Sequence, residues 1–251
     1  MGDLGEQYIG KVSGILKNIV ETQKAAIGEA ATVIAREIAN GKLIYVFGTG
    51  AHCTRAAEEL FWRAGGLVTI APILDAGLAL IHGATRATMT ERMRGYARNV
   101  LDYYRVGQGD TLILVNSYGI NSLTIDTALE CRDRGTKVIA VTSFEFPKGV
   151  PPDHPARHPS GQNLHEIADI AINNFVPFGD AVVDVEGFPF RVAAVSTIAN
   201  VFILNVIVSN VVDRLVREGR KPPVWVSANA PGGDAWNKGF LAEYIGRIRH
   251  L

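Results

Sequence analysis

The sequence predicts an α/β fold: a doubly wound, five-stranded parallel sheet preceded by a helical arm. Three observations carry this. Short apolar runs alternate with segments of helical periodicity, the order of elements that builds a parallel sheet. The runs are apolar throughout instead of alternating with polar residues, as in strands covered on both faces. The first 40 residues repeat apolar positions at helical spacing with no strand among them.

Taken in order, Tyr8, Val12, Ile15 and Ile19, then Ile27, Ala30, Ile34 and Ile38, place an apolar face on helix over 6–40, and Gly41 is its natural stop. LIYVF (43–47) is the first strand, followed by a helix over 52–64 that Gly65 and Gly66 end. LVTIA (67–71) is the second strand, and 72–105 is helical in two pieces. TLILV (111–115) is the third strand; the turn NSYGINS leads into a helix that ends at Arg134, before Gly135. KVIAVTS (137–143) is the fourth strand. Residues 144–162, rich in Pro, His and Gly, form a long loop of the kind that commonly serves function. ADIAIN (168–173) is the fifth strand and VVDVEG (182–187) a short additional one. A long helix over 192–219, the apolar segment VWVSAN (224–229) and a C-terminal helix over 236–248 complete the chain. No linker divides it, so the reading is an arm over 1–41 and one domain over 42–251 with a C-terminal extension.

The 251 residues carry 25 Lys plus Arg against 25 Asp plus Glu, a balance that argues against a nucleic-acid partner. Two cysteines are too few for a disulfide framework and lack metal-ligand spacing. With no basic and apolar leader at the N-terminus, they point to a reduced cytoplasm. The stretch 192–212 is uncharged and long enough to span a bilayer, but Asn200, Asn205 and Asn210 within it are expensive in lipid. A helix apolar nearly all round is equally at home in a core or a subunit interface, and that reading is preferred here.

Two turns can carry chemistry. GTGAH (48–52) follows the first strand: Gly48 and Gly50 let the backbone approach a ligand, Thr49 and His52 flank them, and the next helix opens with free N–H groups. A dinucleotide site would need a third glycine where Cys53 stands and an acid near the end of the second strand; both are missing. NSYGINS (116–122) follows the third strand, with Asn116, Ser117, Asn121 and Ser122 as short neutral donors around Gly119. Such a loop can wrap a phosphate, or Asn121 and Ser122 can cap the following helix; the two roles are compatible. It lacks the GK[ST] of a nucleotide loop. On neighbouring strands the two turns would converge on one phosphate-sized site that needs neither metal nor cofactor.

The pair of turns, with the helical arm, resembles the SIS (sugar isomerase) domain, a flavodoxin-like phosphosugar-binding fold, over nearly the whole chain. AEELFWRAGG (57–66), TERMRGYA (90–97), RHPSG (157–161), GDA (179–181) and PPVWVSANAPGGDAWN (222–237) are similar to a subfamily of phosphosugar isomerases, and HCTRAAEEL is similar to phosphoheptose isomerases. The resemblance implies a catalytic carboxylate at the second Glu of AEEL, here Glu59, which would move a proton between adjacent carbons of an open-chain sugar phosphate. Without it, Glu59 reads as a solvated helix residue. The chain departs from the family loop, SxSGxS/T: Asn116, Tyr118 and Asn121 stand where hydroxyls usually do. The long helix also lacks the family's histidine, and with it the metal site of some relatives.

Among six histidines, His52 follows the glycine turn and His82 the second strand, so either can open the ring or polarise a carbonyl. Arg157, His158 and Ser160 follow the fourth strand, and Arg157 can add charge to a phosphate. His154 and His250 read as solvated, and Glu91 with Arg92 as an ordinary ion-paired helix face. The combined expectation is a cytoplasmic homodimer or higher homo-oligomer, joined through the long apolar helix and the arm, that isomerises a sugar phosphate. A non-catalytic phosphosugar sensor and a lyase or etherase acting on an amino-sugar phosphate stay open beside it.

Overall fold

Five strands, β1 (Ile44–Gly48), β2 (Ile70–Ile73), β3 (Thr111–Val115), β4 (Lys137–Thr142) and β5 (Ile170–Asn173), form one parallel sheet in the order β2-β1-β3-β4-β5 in a computed structural model that describes residues 3–251. The sheet is buried on both faces, which is why its strands read as unbroken apolar runs. Ile44, Val46, Ile113, Val115, Ile139 and Val141 point into one core layer, while Phe47, Leu112, Leu114, Val138 and Ala140 point into the other.

The first layer is closed by α2 (Lys24–Ala39), α3 (Thr54–Leu60) and α8 (Ser196–Arg217). The second is closed by α5 (Tyr96–Tyr104), α6 (Ser122–Arg134) and the short α7 (Leu164–Ile167). The helix after β1 therefore covers one face and the helix after β3 covers the other. In an open α/β sheet this reversal leaves a crevice at the carboxyl ends of the two strands, where ligands bind.

Several boundaries differ from the sequence reading. The arm is two helices, α1 (Leu4–Thr22) and α2, because the chain bends at Gln23 (φ −100°, ψ 8°). The Gln23 side chain accepts a hydrogen bond from the Asn173 N–H at 3.0 Å, tying the bend to the end of β5. Strand β2 begins at Ile70 and not at 67, since Leu67 pairs antiparallel with Val224. Trp62 adopts φ +53°, and the helix expected over 52–64 is confined to Thr54–Leu60. The long helix starts at Ser196 and not at 192: Val192–Ala194 is strand β7, paired antiparallel with β6 (Ala181–Val183). Between β2 and α5 lie a 3₁₀ turn at 80–82 and α4 (Ala84–Glu91), and α9 (Gly233–Tyr244) is the C-terminal helix.

Helix α8 is long and apolar enough to cross a membrane. Its stripe of Ala199, Ile203, Leu204, Ile207, Val211 and Leu215 packs instead in the first core layer, against α2 and α3. The polar Asn200 on the same side is buried and doubly hydrogen-bonded, as a core amide must be.

Candidate functional site

The two glycine-containing turns leave β1 and β3 side by side and are knitted together. Asn116 Nδ2 donates to the Thr49 carbonyl at 3.3 Å, and the buried hydroxyls of Thr49 and Thr124 lie 2.8 Å apart. Gly48 is required here, because a Cβ would overlap the Cys53 carbonyl where the chain doubles back into α3. Gly119 has φ +67°, and a Cβ on it would press on Thr142 Oγ1 at 2.5 Å.

The second turn closes on itself. Asn116 Oδ1 accepts from the N–H groups of Tyr118 (3.1 Å) and Gly119 (2.8 Å), so that amide shapes the loop. The Ser117 hydroxyl accepts from Asn200 Nδ2 at 2.9 Å, and Asn200 Oδ1 in turn accepts from Asn174 Nδ2 at 2.8 Å. The Ser117 hydroxyl also lies 3.6 Å from Cys53 Sγ, a weak partner for its proton. Asn121 precedes α6 without capping it; its Nδ2 donates to the Ala156 carbonyl at 3.1 Å. Among the described residues, nothing accepts from the first-turn N–H groups of Ser122, Leu123 and Thr124.

The crevice holds a polar cavity of about 240 Å³, walled by Gly50, His52, Asn116 and Ser117 together with Glu91, Asp180 and Ser196. Glu91, at the end of α4, accepts the Ala51 N–H on Oε1 at 2.6 Å. Burial pushes its carboxyl above the ordinary value, against the pull of that N–H and of nearby Arg92 and His52. Asp180 Oδ1 accepts the N–H groups of Val195 (3.1 Å) and Ser196 (2.8 Å), and its Oδ2 accepts the Ser196 hydroxyl (2.7 Å). It thereby fills the N-terminus of α8 with a carboxylate of the chain itself. A second cavity of about 400 Å³ shares Thr88, Glu91 and Tyr118 with the first and is otherwise largely apolar.

The crevice therefore gathers Gly50, His52, Asn116 and Ser117, with Asn121 on the adjoining cavity. The remaining residues singled out in the sequence lie elsewhere. Thr49 is buried against Thr124. Glu59, 29% exposed, pairs with Arg63 at 3.1 Å and does not line the cavity. His82 sits exposed in the 3₁₀ turn, beside but not in the wall that Leu80 and Ala84 form. Arg157 donates to the carbonyls of Val150 and Pro147 and to Asn163 Oδ1, so its guanidinium braces the long loop. His158 Nδ1 accepts the Ser160 N–H at 3.1 Å and lies 2.7 Å from the Ser160 hydroxyl. That leaves the proton on Nε2, which faces Asp126 Oδ1 at 3.1 Å. His158 thereby clamps the loop onto α6.

Glu91, Asp180, Ser196 and Tyr118 are cavity residues that the site reading did not include. The stretches TERMRGYA and GDA contain Glu91 and Asp180, so motif similarity was the one signal available for them. Among the described residues, no three of His, Cys, Asp and Glu gather as ligands for a metal ion.

Comparison with known proteins agrees with this architecture. The chain is 34% identical over 243 residues to a UPF0309 protein of Geobacillus thermodenitrificans, covering 97% of this chain and 96% of that one. In fold it is similar to a phosphoheptose isomerase from Neisseria gonorrhoeae (TM-score 0.55, 13% identity, 82% of this chain and 95% of that one). It is also similar to the sugar isomerase domain of an RpiR transcription factor from Sphaerobacter thermophilus (TM-score 0.50, 15% identity, 98% of this chain and 100% of that one). The SIS domain model matches residues 7–143, a span that contains both turns and Glu91, and the chain is a member of the SIS-domain family.

Proposed function

We propose that the chain binds a sugar phosphate in the crevice between β1 and β3 and moves a proton between two of its carbons, as an aldose–ketose isomerase of the cytoplasm. The observation that carries the reading is Glu91, a part-buried carboxylate inside a polar cavity between two strand-end turns. One of its oxygens is held by the Ala51 N–H; the other has no protein partner among the described residues. The two cysteines, Cys53 and Cys131, are buried and unpaired, as suits a reducing compartment.

The phosphate belongs at the start of α6. Three unpaired N–H groups and the helix dipole favour an anion there, and the Ser117 hydroxyl, turned from its weak contact with Cys53 Sγ, adds a donor. The sugar then extends toward Glu91 and His52. The isomerisation needs a base that takes a proton from the carbon beside the carbonyl and returns it to the neighbouring carbon. A carboxyl whose pKa burial raises keeps the proton it has taken more readily than an ordinary carboxylate, which suits both halves of that task. His52, on the same wall, can hydrogen-bond the carbonyl oxygen while charge develops on it. Glu59 is the base that the family resemblance implies, but in one chain it is engaged with Arg63 outside the cavity, and Glu91 is the better placed carboxylate.

Incubation with sugar phosphates in D₂O, read by NMR, tests this. Wild type should introduce deuterium at the exchanging carbon. Glu91→Gln should slow the exchange by about 10²–10⁴-fold and leave binding in place. Slowing by Glu59→Gln with Glu91→Gln at the wild-type rate would return the base to Glu59. A protein that binds sugar phosphates and exchanges nothing is a sensor, a reading favoured by Tyr118 standing where the family loop carries a hydroxyl.

A further inference from the structure

We propose that the substrate is a sugar phosphate bearing an apolar, ring-sized substituent, which seats in the larger cavity beside the polar one; the inference rests on the sugar-phosphate reading above. The two cavities share Thr88, Glu91 and Tyr118, so a ligand at Glu91 borders both. The polar cavity, at about 240 Å³, falls short of the range of about 300–1,000 Å³ usual for ligand sites, and the two together fall inside it.

The larger cavity is built for aromatic contact. Tyr118 stacks on Phe146 with ring centroids 4.0 Å apart and planes at 18°, and Phe146 meets Phe178 at 5.2 Å. Phe178 is 60% exposed, a large apolar surface at the rim with nothing over it. Ile120, Val150 and Pro151 extend this apolar wall, and Arg92, Asn121 and His154 are its polar members beyond those shared with the first cavity. A second sugar ring fits this lining less well than an apolar one, because the hydroxyls facing Phe146, Phe178, Ile120 and Val150 would give up water without a partner, with Arg92, Asn121 and His154 serving only the others. A phenyl-sized group gives up nothing and gains by covering Phe178 and Phe146. The substituent must sit on a carbon other than the two that exchange the proton, since those carry the carbonyl and its neighbouring hydroxyl.

The shelf exists because of how the chain departs from its family. Tyr118 occupies a hydroxyl position of the phosphate loop, and Asn116 closes that loop without it. The Tyr118 side chain thus stands on the border of both cavities with its ring against Phe146, and burial pushes its pKa up to about 12 and keeps it neutral.

The test is calorimetric titration of glucose 6-phosphate against its 3-O-benzyl and 4-O-benzyl ethers. At least one benzyl ether should bind about ten-fold or more tightly than glucose 6-phosphate, which corresponds to about 1.4 kcal/mol. Phe178→Ala and Val150→Trp should each erase most of that gain and leave the affinity for glucose 6-phosphate within about two-fold. Both positions lie outside the polar cavity, and Phe178 is exposed enough that its loss spares folding. Binding of glucose 6-phosphate with no advantage for either ether overturns the proposal and leaves the sugar-phosphate reading standing. Failure of all three compounds to bind overturns that reading and this substrate together. Transferred NMR contacts from benzyl alcohol to the Val150 methyls, present in wild type and lost in Val150→Trp, then decide whether the annex by itself is an aromatic-ring site.

Discussion

Asn200 reaches from the first turns of α8 to donate a hydrogen bond to the Ser117 hydroxyl at 2.9 Å. This couples the most apolar helix of the protein to the turn that follows β3. With Asn174 Nδ2 donating to Asn200 Oδ1 at 2.8 Å, the result is a buried polar chain that runs under the crevice. Replacing Asn200 with Leu leaves the Asn174 amide without its acceptor and the Ser117 oxygen without its donor. The expected destabilisation is about 1–3 kcal/mol for each group left unpaired. Urea denaturation should show a lower midpoint at unchanged slope; an unchanged midpoint would show that these bonds contribute nothing.

Glu91 sets a pH signature. Its folded-state pKa is raised above 4.5, the ordinary value, because burial disfavours the anion. The folded state therefore holds the proton more tightly than the unfolded chain does. Its contribution is fully present below the ordinary value and is lost as pH rises through the raised one. At pH 7 the ionised carboxylate is a net cost, which Glu91→Gln removes. Glu91→Gln should thus melt above wild type near neutrality, and the gap should close as the pH falls to about 4. Thermal melts of both proteins across that window check the sign; a gap that ignores pH would rule out carboxyl burial as its cause.

For the phosphate, Ser117→Ala combined with Ser122→Ala should weaken binding of a sugar phosphate. Each hydrogen bond lost to a charged group contributes about 1.5–3 kcal/mol. Calorimetry on the double variant measures this directly. Equal affinity would place the phosphate away from the 116–122 turn.

The outward side of the molecule predicts self-association. Ile198 on α8, Ile9 and Val20 on α1, and Phe188 and Phe190 between β6 and β7 are all large, apolar and exposed. We expect sedimentation in plain buffer to give a dimer, and Ile198→Asp to shift it toward monomer. A wild-type monomer at micromolar concentration would refute the expectation.

The sheet was legible because each strand is a short apolar run with punctuation on both sides, and β3, α6 and β4 fall within a residue of their sequence bounds. The bend at Gln23 was not legible, since its cause is an amide bonded to Asn173, 150 residues away in sequence. Likewise β7 begins inside an apolar run that continues into α8, and only pairing with β6 separates the two. At the site, Gly48, Gly50, Ser117 and the turn chemistry around them announced themselves through local geometry. Glu91 and Asp180 did not: neither has a periodic or spacing signal, and each reaches the crevice from an element remote in sequence. His158 and Arg157 carried the right chemistry for a phosphate, yet loop carbonyls and Asp126 engage them first.

The paired threonine hydroxyls of Thr49 and Thr124, with Asn116 bridging to the Thr49 carbonyl, make the floor of the crevice a single rigid body. Two turns that share their fastenings cannot drift apart to admit a broader ligand. Breadth of selectivity is consequently governed by the walls, the α4 segment with Thr88 and Glu91 and the 144–162 loop with Phe146 and Val150. Substitutions that widen or narrow the range of ligands should then fall at wall positions such as Thr88, Phe146 and Val150, while Glu91 and the fastened floor stay in place.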